Sequence, residues 1–326
     1  MKVGVDVSPL IQTRAGTARV VRGLVGALRG RAGLELELLS FGGPGRVSSV
    51  LRDLTWYPMR LERRARELDV LHCTTFRGPV SAAVPTVVTV HDLAILRYPE
   101  AFPRWHRHYG SVGLGTVLRG ADAVVAVSQF TKDEVVELAG VPAERIRVVP
   151  NGVDSTFRAS EAPSNSLLQG GYVLAVATLE PRKNLERVVE AAKLAGVELR
   201  VVGARGWGGV DVPGWVGEIP DAKLADLYRG ARCVVCASLY EGFGLPVLEA
   251  MASGTPVVTS RGGAMEEVAG GAAVLVDPLD LESIAAGIAE AQARRGELVP
   301  LGRARAREFT WERTADGVES LWRELA

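Results

Sequence analysis

The chain has 326 residues, enough for two domains of about 150 residues each, in soluble-protein proportions of 47% apolar and 23% charged residues. Net charge is zero, yet residues 1–150 hold 20 Lys/Arg against 14 Asp/Glu and the remainder 18 against 24, a split of +6 and −6. No basic tail or aromatic-basic interleaving marks a nucleic-acid binder, no run of 18 apolar residues spans a membrane, and three cysteines make no disulfide framework. The charge split has two readings. It is drift in an Arg-rich sequence, or it marks an N-terminal half that meets an anionic partner such as a phosphorylated or lipid-linked acceptor.

The opening run MKVGVD reads as a strand rather than a signal peptide, since no apolar core of 7–15 residues follows the lysine. With its cysteines reduced, the chain is expected in the cytoplasm. Apolar, β-branched runs follow at 3–7, 34–39, 70–72, 86–90, 123–127 and 147–149, and again at 172–177, 198–202, 233–237, 256–259 and 273–276. Such runs alternating with helical patterns predict parallel sheets covered on both faces. The segment RGADAVVAVS at 119–128 reads beside RGARCVVCAS at 229–238, each a glycine-capped helix end, a buried strand and a serine opening a loop. The fold class is therefore α/β, two Rossmann-like domains joined near 151–169, where Ser, Pro and Asn accumulate. Ligands of open α/β sheets bind beyond the carboxyl ends of strands, so a cleft faced by both sheets is the expected site. Cys233 and Cys236 make a C-x-x-C, but inside a strand i and i+3 point to opposite faces, which argues against a redox or metal pair.

Candidate site residues follow in chain order. The loop 8–17 ends in Gly16 ahead of a helix at 18–28. Strand 86–90 ends in His91 and Asp92, at a carboxyl edge. Arg60, Arg63, Arg64 and Arg66 have Glu62 and Glu67 interspersed and read as a solvated helix face or as contact with an anionic membrane surface. His106 and His108, among Trp105, Arg107 and Tyr109, read as a solvated face or a basic patch near an acceptor. After strand 172–177, Arg182 and Lys183 precede Asn184, a candidate N-cap for the next helix. EGFGLPVLE at 241–249 sets two acids around a glycine loop and a helix start with Pro246 at its head, placing Glu241 on the loop and Glu249 in the first turn. Bare amides and a helix dipole suit a phosphate, while carboxylates suit sugar and ribose hydroxyls. Two cations beside them neutralise a diphosphate without a metal, and no D-x-D exists to hold Mg²⁺, so no metal is expected. G-x-S-x-G, a P-loop and an opening G-x-G-x-x-G are all missing, against hydrolase, kinase and nicotinamide readings.

The segment SLYEGFGLPVLEAMASGTPVVTS at 238–260 resembles the E-x7-E signature of retaining GT-B glycosyltransferases of family 4. The blocks TVHD at 89–92, VSQFT at 127–131 and PNGVD at 150–154 resemble further blocks of that family, so the likeness covers essentially the whole chain. It implies a GT-B fold with an acceptor-binding domain at 1–160, a nucleotide-sugar-binding domain at 161–308 and a terminal helix at 309–326 packing back on the first. It also implies roles. Lys183 would bind the diphosphate, Glu241 and His91 the donor sugar, and Glu249 the ribose. The amides of Gly242, Phe243, Gly244 and Leu245 would hold sugar and phosphate, Gly16 would close over the phosphate, and Asn151 belongs to a matching donor block. Many members carry an Arg five residues before the Lys. Here that position is Thr178, and Arg182 is expected to supply the second charge. The implied reaction moves a hexose from GDP-mannose or a UDP-sugar to a sugar, lipid-linked or small-molecule acceptor, with no cofactor, in the cytoplasm or peripherally at the inner membrane face. A nucleotide-sugar hydrolase, a disaccharide synthase and a nucleotide-binding pseudoenzyme remain alternatives.

Overall fold

The computed structural model describes residues 1–12, 16–43, 45–102, 113–158 and 171–326. Contacts divide the chain into two units, one of Met1–Gly152 with Trp311–Ala326 and one of Val153–Thr310.

The first unit is built on six parallel strands in the order β2-β1-β3-β4-β5-β6. They are β1 (Lys2–Asp6), β2 (Glu35–Leu39), β3 (Val70–Cys73), β4 (Thr86–Val90), β5 (Ala123–Ala126) and β6 (Ile146–Val148). Strands β3, β4 and β5 are buried at every residue, because each side of the sheet carries its own apolar cluster. The helix Trp311–Leu325 belongs to this unit. It buries Trp311, Ala315, Val318 and Trp322 at helical spacing beside the helix Gly16–Leu28. Gly23 permits that approach, since a Cβ there would stand 2.2 Å from the Trp311 ring. Arg31 adds hydrogen bonds of 2.7 Å to Asp316 and 2.9 Å to Glu319.

The second unit repeats the plan in the order β12-β11-β10-β7-β8-β9. Its strands are β7 (Tyr172–Val176), β8 (Glu198–Val202), β9 (Trp215–Gly217), β10 (Val234–Cys236), β11 (Val257–Ser260) and β12 (Val274–Val276). The helix Leu185–Leu194 covers one face with Leu185, Val188, Val189 and Ala192, an i, i+3, i+4, i+7 stripe. Two corrections concern helix starts. Asn184 precedes that helix but does not cap it with its side chain; its backbone is left-handed, φ 58 and ψ 28, and its amide donates to the Ala237 and Pro278 carbonyls at 2.9 and 2.7 Å. The helix after the glycine loop begins at Leu245, one residue ahead of the start at Pro246 expected from the sequence, so Pro246 is its second residue and Glu249 lies in its second turn.

Candidate active site

In the second sheet β7 sits beside β10, while β8 and β9 run off to one side and β11 and β12 to the other. A reversal of strand order at neighbouring strands opens a crevice at their carboxyl ends, where α/β sheets hold ligands. β7 delivers residues 177–184 to that edge and β10 delivers 237–244. The two segments are laced together: the Leu239 N–H donates to the Arg182 carbonyl at 2.8 Å.

Pro181–Lys183 forms a single 3₁₀ turn between Glu180 and the left-handed Asn184, which aims two cations at one place. The Lys183 ammonium donates to Glu241 Oε1. The Arg182 guanidinium donates to Glu241 Oε2 at 3.2 Å and to the Tyr240 carbonyl at 3.1 Å. Ser238 Oγ adds a bond to Glu241 Oε1 at 3.2 Å. Beneath them Glu180, with 2% of its side chain exposed, pairs with Arg182 Nε at 2.8 Å and lies 3.9 Å from the Lys183 ammonium. Burial alone would push the Glu241 carboxyl up. Lys183 and Arg182, with their hydrogen bonds and that of Ser238, outweigh burial and hold it below the usual Glu value. Arg182 thus brings its charge to the same carboxylate as Lys183, whereas Thr178 supplies none. Removing either side of such a buried ion cluster leaves an unpaired charge, which costs about 3–5 kcal/mol.

The loop 242–244 then turns into the helix Leu245–Ala252 through Gly244, at φ 106, a conformation L side chains avoid; a Cβ there would also stand 3.0 Å from Met265 Cγ. Phe243 turns its ring edge-on to Phe309 at 6.0 Å, so its side chain anchors the loop. Glu249, 1% exposed, accepts from the Tyr228 hydroxyl at 2.9 Å. The structure therefore gathers Arg182, Lys183, Glu241 and the residues 242–245 at one edge, with Glu249 a turn below. Glu180 and Tyr228 were missed by sequence reading, since their roles come from contacts that no local pattern announces.

The remaining candidates lie in the first unit. Gly16 is exposed and opens the helix Gly16–Leu28; the rest of its loop, 13–15, lies outside the described residues, as do His106 and His108. His91 and Asn151 line one small cavity with Thr74, Thr89 and Val21. His91 Nε2 donates to the Thr74 carbonyl at 2.8 Å, which leaves Nδ1 as an acceptor in the neutral ring. Burial lowers its pKa, against the opposing pull of Thr74 and Asp92. Asp92 Oδ1 accepts from the Ala94 N–H at 3.1 Å and so begins the next turn. Among the described residues no three His, Cys, Asp or Glu gather as metal ligands, and Cys73, Cys233 and Cys236 are buried free thiols.

Two family models match nearly end to end. Glycosyltransferase Family 4 covers residues 14–157 and Glycosyl transferases group 1 covers 158–300. The O-antigen chain mannosyltransferase B of Escherichia coli is 32% identical over 94% of this chain and 85% of its own. An MMP alpha-(1->4)-mannosyltransferase of Mycolicibacterium hassiacum is 32% identical over 78% of this chain and 70% of its own. Among solved structures, sucrose-phosphate synthase from Thermosynechococcus elongatus superposes with a TM-score of 0.81 at 21% identity, covering 100% of this chain and 99% of that one. Anabaena HepE in complex with UDP gives 0.75 at 20% identity, covering 99% and 100%.

Proposed function

This chain belongs to glycosyltransferase family 4 and has the GT-B fold, and from that premise we propose that it moves a hexose from a nucleoside-diphosphate sugar to an acceptor hydroxyl, retaining the anomeric configuration without a metal. The observation that carries this reading is the convergence of Arg182 and Lys183 on Glu241 at the carboxyl edge, beside a glycine loop and helix N-terminus. In the free protein Glu241 occupies the cations. An arriving diphosphate takes its place, gathers Lys183, Arg182 and the loop amides around itself, and frees Glu241 to accept hydrogen bonds from sugar hydroxyls. Glu249 accepts from the ribose.

With the cations drawn to the diphosphate, Glu241 serves this reading as a hydrogen-bond acceptor for sugar hydroxyls and not as a nucleophile. The acceptor oxygen therefore attacks from the leaving-group face, and the departing phosphate accepts its proton. The protein supplies positioning and charge stabilisation on the diphosphate. His91 Nδ1, in a neutral ring, accepts from a donor-sugar hydroxyl, Asn151 sits beside it, and Gly16 closes over the phosphate. The mannosyltransferase names of the two curated relatives favour mannose, and the O-antigen name favours a growing glycan or glycolipid acceptor; HepE's UDP supports a nucleotide donor in general. Exposed Leu54 and Met59 near Arg60, Arg63, Arg64 and Arg66 suit an anionic surface bearing such an acceptor. The test is proton NMR of products from GDP-mannose and from UDP-glucose with mannoside and glucoside acceptors under chelator. The new glycosidic bond is expected to be α, as in the donor, at a rate the chelator leaves unchanged. A β-linked product or a rate abolished by chelation contradicts the proposal, and donor hydrolysis that no acceptor diverts points to a hydrolase.

A further inference from the structure

Tyr228 is wholly buried on the helix Asp221–Gly230 and its hydroxyl donates to Glu249 Oε2 at 2.9 Å. The phenol is held from several sides. Its ring meets Phe157 edge-on at 5.8 Å, and its carbonyl accepts from Thr255 Oγ1 at 2.6 Å. Phe157 is held in turn, its carbonyl accepting from Ser253 Oγ at 3.0 Å. A carboxylate as buried as Glu249 needs fixed donors, and one donor on one oxygen also fixes the rotation of the group. We propose that Tyr228 is the positioning residue for Glu249: by claiming Oε2 it turns Oε1 towards the ribose of the bound nucleotide and so sets the site's preference for a ribose over a sugar without hydroxyls. The inference rests on Glu249 being the ribose ligand.

The arrangement explains why a helix whose inner face otherwise buries Leu224 and Ala225 carries a tyrosine hydroxyl inside. A phenylalanine there would fill the same space and take that donor away from Oε2.

Calorimetric titration with GDP and UDP, each paired with its 2′,3′-dideoxy form, reads the preference as a ratio within one sample. Wild type is expected to bind the ribose form at least about tenfold more tightly, the scale of a hydrogen bond to a charged group. Tyr228→Phe is expected to cut that ratio to about threefold or less while leaving the dideoxy affinity unchanged, a readout a merely structural role would not move. Glu249→Gln should lose the preference, and Tyr228→Phe in the Glu249→Gln background should change it no further, because Tyr228 acts only through the carboxylate. That second comparison leaves no buried carboxylate short of a donor and stands even if Tyr228→Phe alone does not fold. A wild type that binds both forms equally, or neither nucleotide, overturns the ribose reading of Glu249 and this inference with it. A wild type that discriminates, with the full ratio kept in Tyr228→Phe or a further fall in the double variant, overturns the positioning inference alone.

Discussion

Each sheet carries an acid where its strand order reverses, and the two acids are treated in opposite ways. In the first unit β1 sits between β2 and β3, and its last residue, Asp6, is fully buried, with Ser8 donating to Oδ1 from its hydroxyl at 2.6 Å and its N–H at 3.2 Å. Burial dominates there and raises the Asp6 pKa, against the pull of Ser8, Tyr57 and Arg52. In the second unit Glu241 meets two cations and is held below its usual value. One topology thus makes one crevice that disfavours negative charge and one that is organised around it. The fold supplies the location, and the residues beside it supply the chemistry.

The difference can be broken from either side. Glu241→Gln should have the larger effect, costing about 3 kcal/mol at neutral pH because Arg182 and Lys183 lose a buried counter-charge. Asp6→Asn keeps an acceptor for Ser8 and removes the disfavoured charge, so it should stabilise by about 1 kcal/mol at pH 8. The pH dependences run in opposite senses. Asp6 has a raised folded value, so its contribution is full below the unfolded pKa and is lost as pH rises through the folded one. Glu241 has a lowered folded value, so its contribution is present above the ordinary Glu value and is lost as pH falls through the folded one. Urea unfolding of the three proteins across pH 3–8 checks both signs. A loss of stability in Asp6→Asn at pH 8, or none in Glu241→Gln, breaks the contrast.

A finer contrast lies in the echoed segments at 119–128 and 229–238. Ser128 caps the helix Gln129–Ala139, accepting from the Thr131 N–H at 3.0 Å. Its counterpart Ser238 donates to Glu241 instead. Ser128→Ala should therefore lower stability by about 1 kcal/mol and leave nucleotide affinity alone. Ser238→Ala should weaken nucleotide binding a few-fold with a smaller loss of stability. Thermal melts with and without nucleotide separate the two, and matching behaviour would mean the echo extends to function.

Much of this was legible in the chain because a buried parallel strand is written as an unbroken β-branched run: TVVTV at 86–90 coincides with β4, and 198–202, which ends in two buried valines, coincides with β8. β9 was not, since three residues flanked and interrupted by Gly214 and Gly217 carry no period to read. Nor was the segment Arg52–Arg60, a π-helix that buries Trp56 and Tyr57. Lys183, Arg182 and Glu241 could be named because their spacing around a glycine loop has a chemical reason. Glu180 could not, although it lies two residues from Arg182, because only the fold turns it beneath the cations. The left-handed backbone of Asn184, the one non-glycine residue with positive φ among those described, likewise comes from tertiary contacts, through its bonds to Ala237 and Pro278.

The central claim is that the cations on Glu241 are there for a diphosphate. Titrating GDP and UDP into wild type and Lys183→Ala under chelator, alongside their thermal melts, tests it directly. The account predicts at least about a tenfold loss of affinity for the nucleotide that binds, the scale of a charge-assisted bond, in a variant whose melting temperature falls but stays above the titration temperature, so that folded protein is what fails to bind. Affinity equal to wild type in Lys183→Ala would contradict the account.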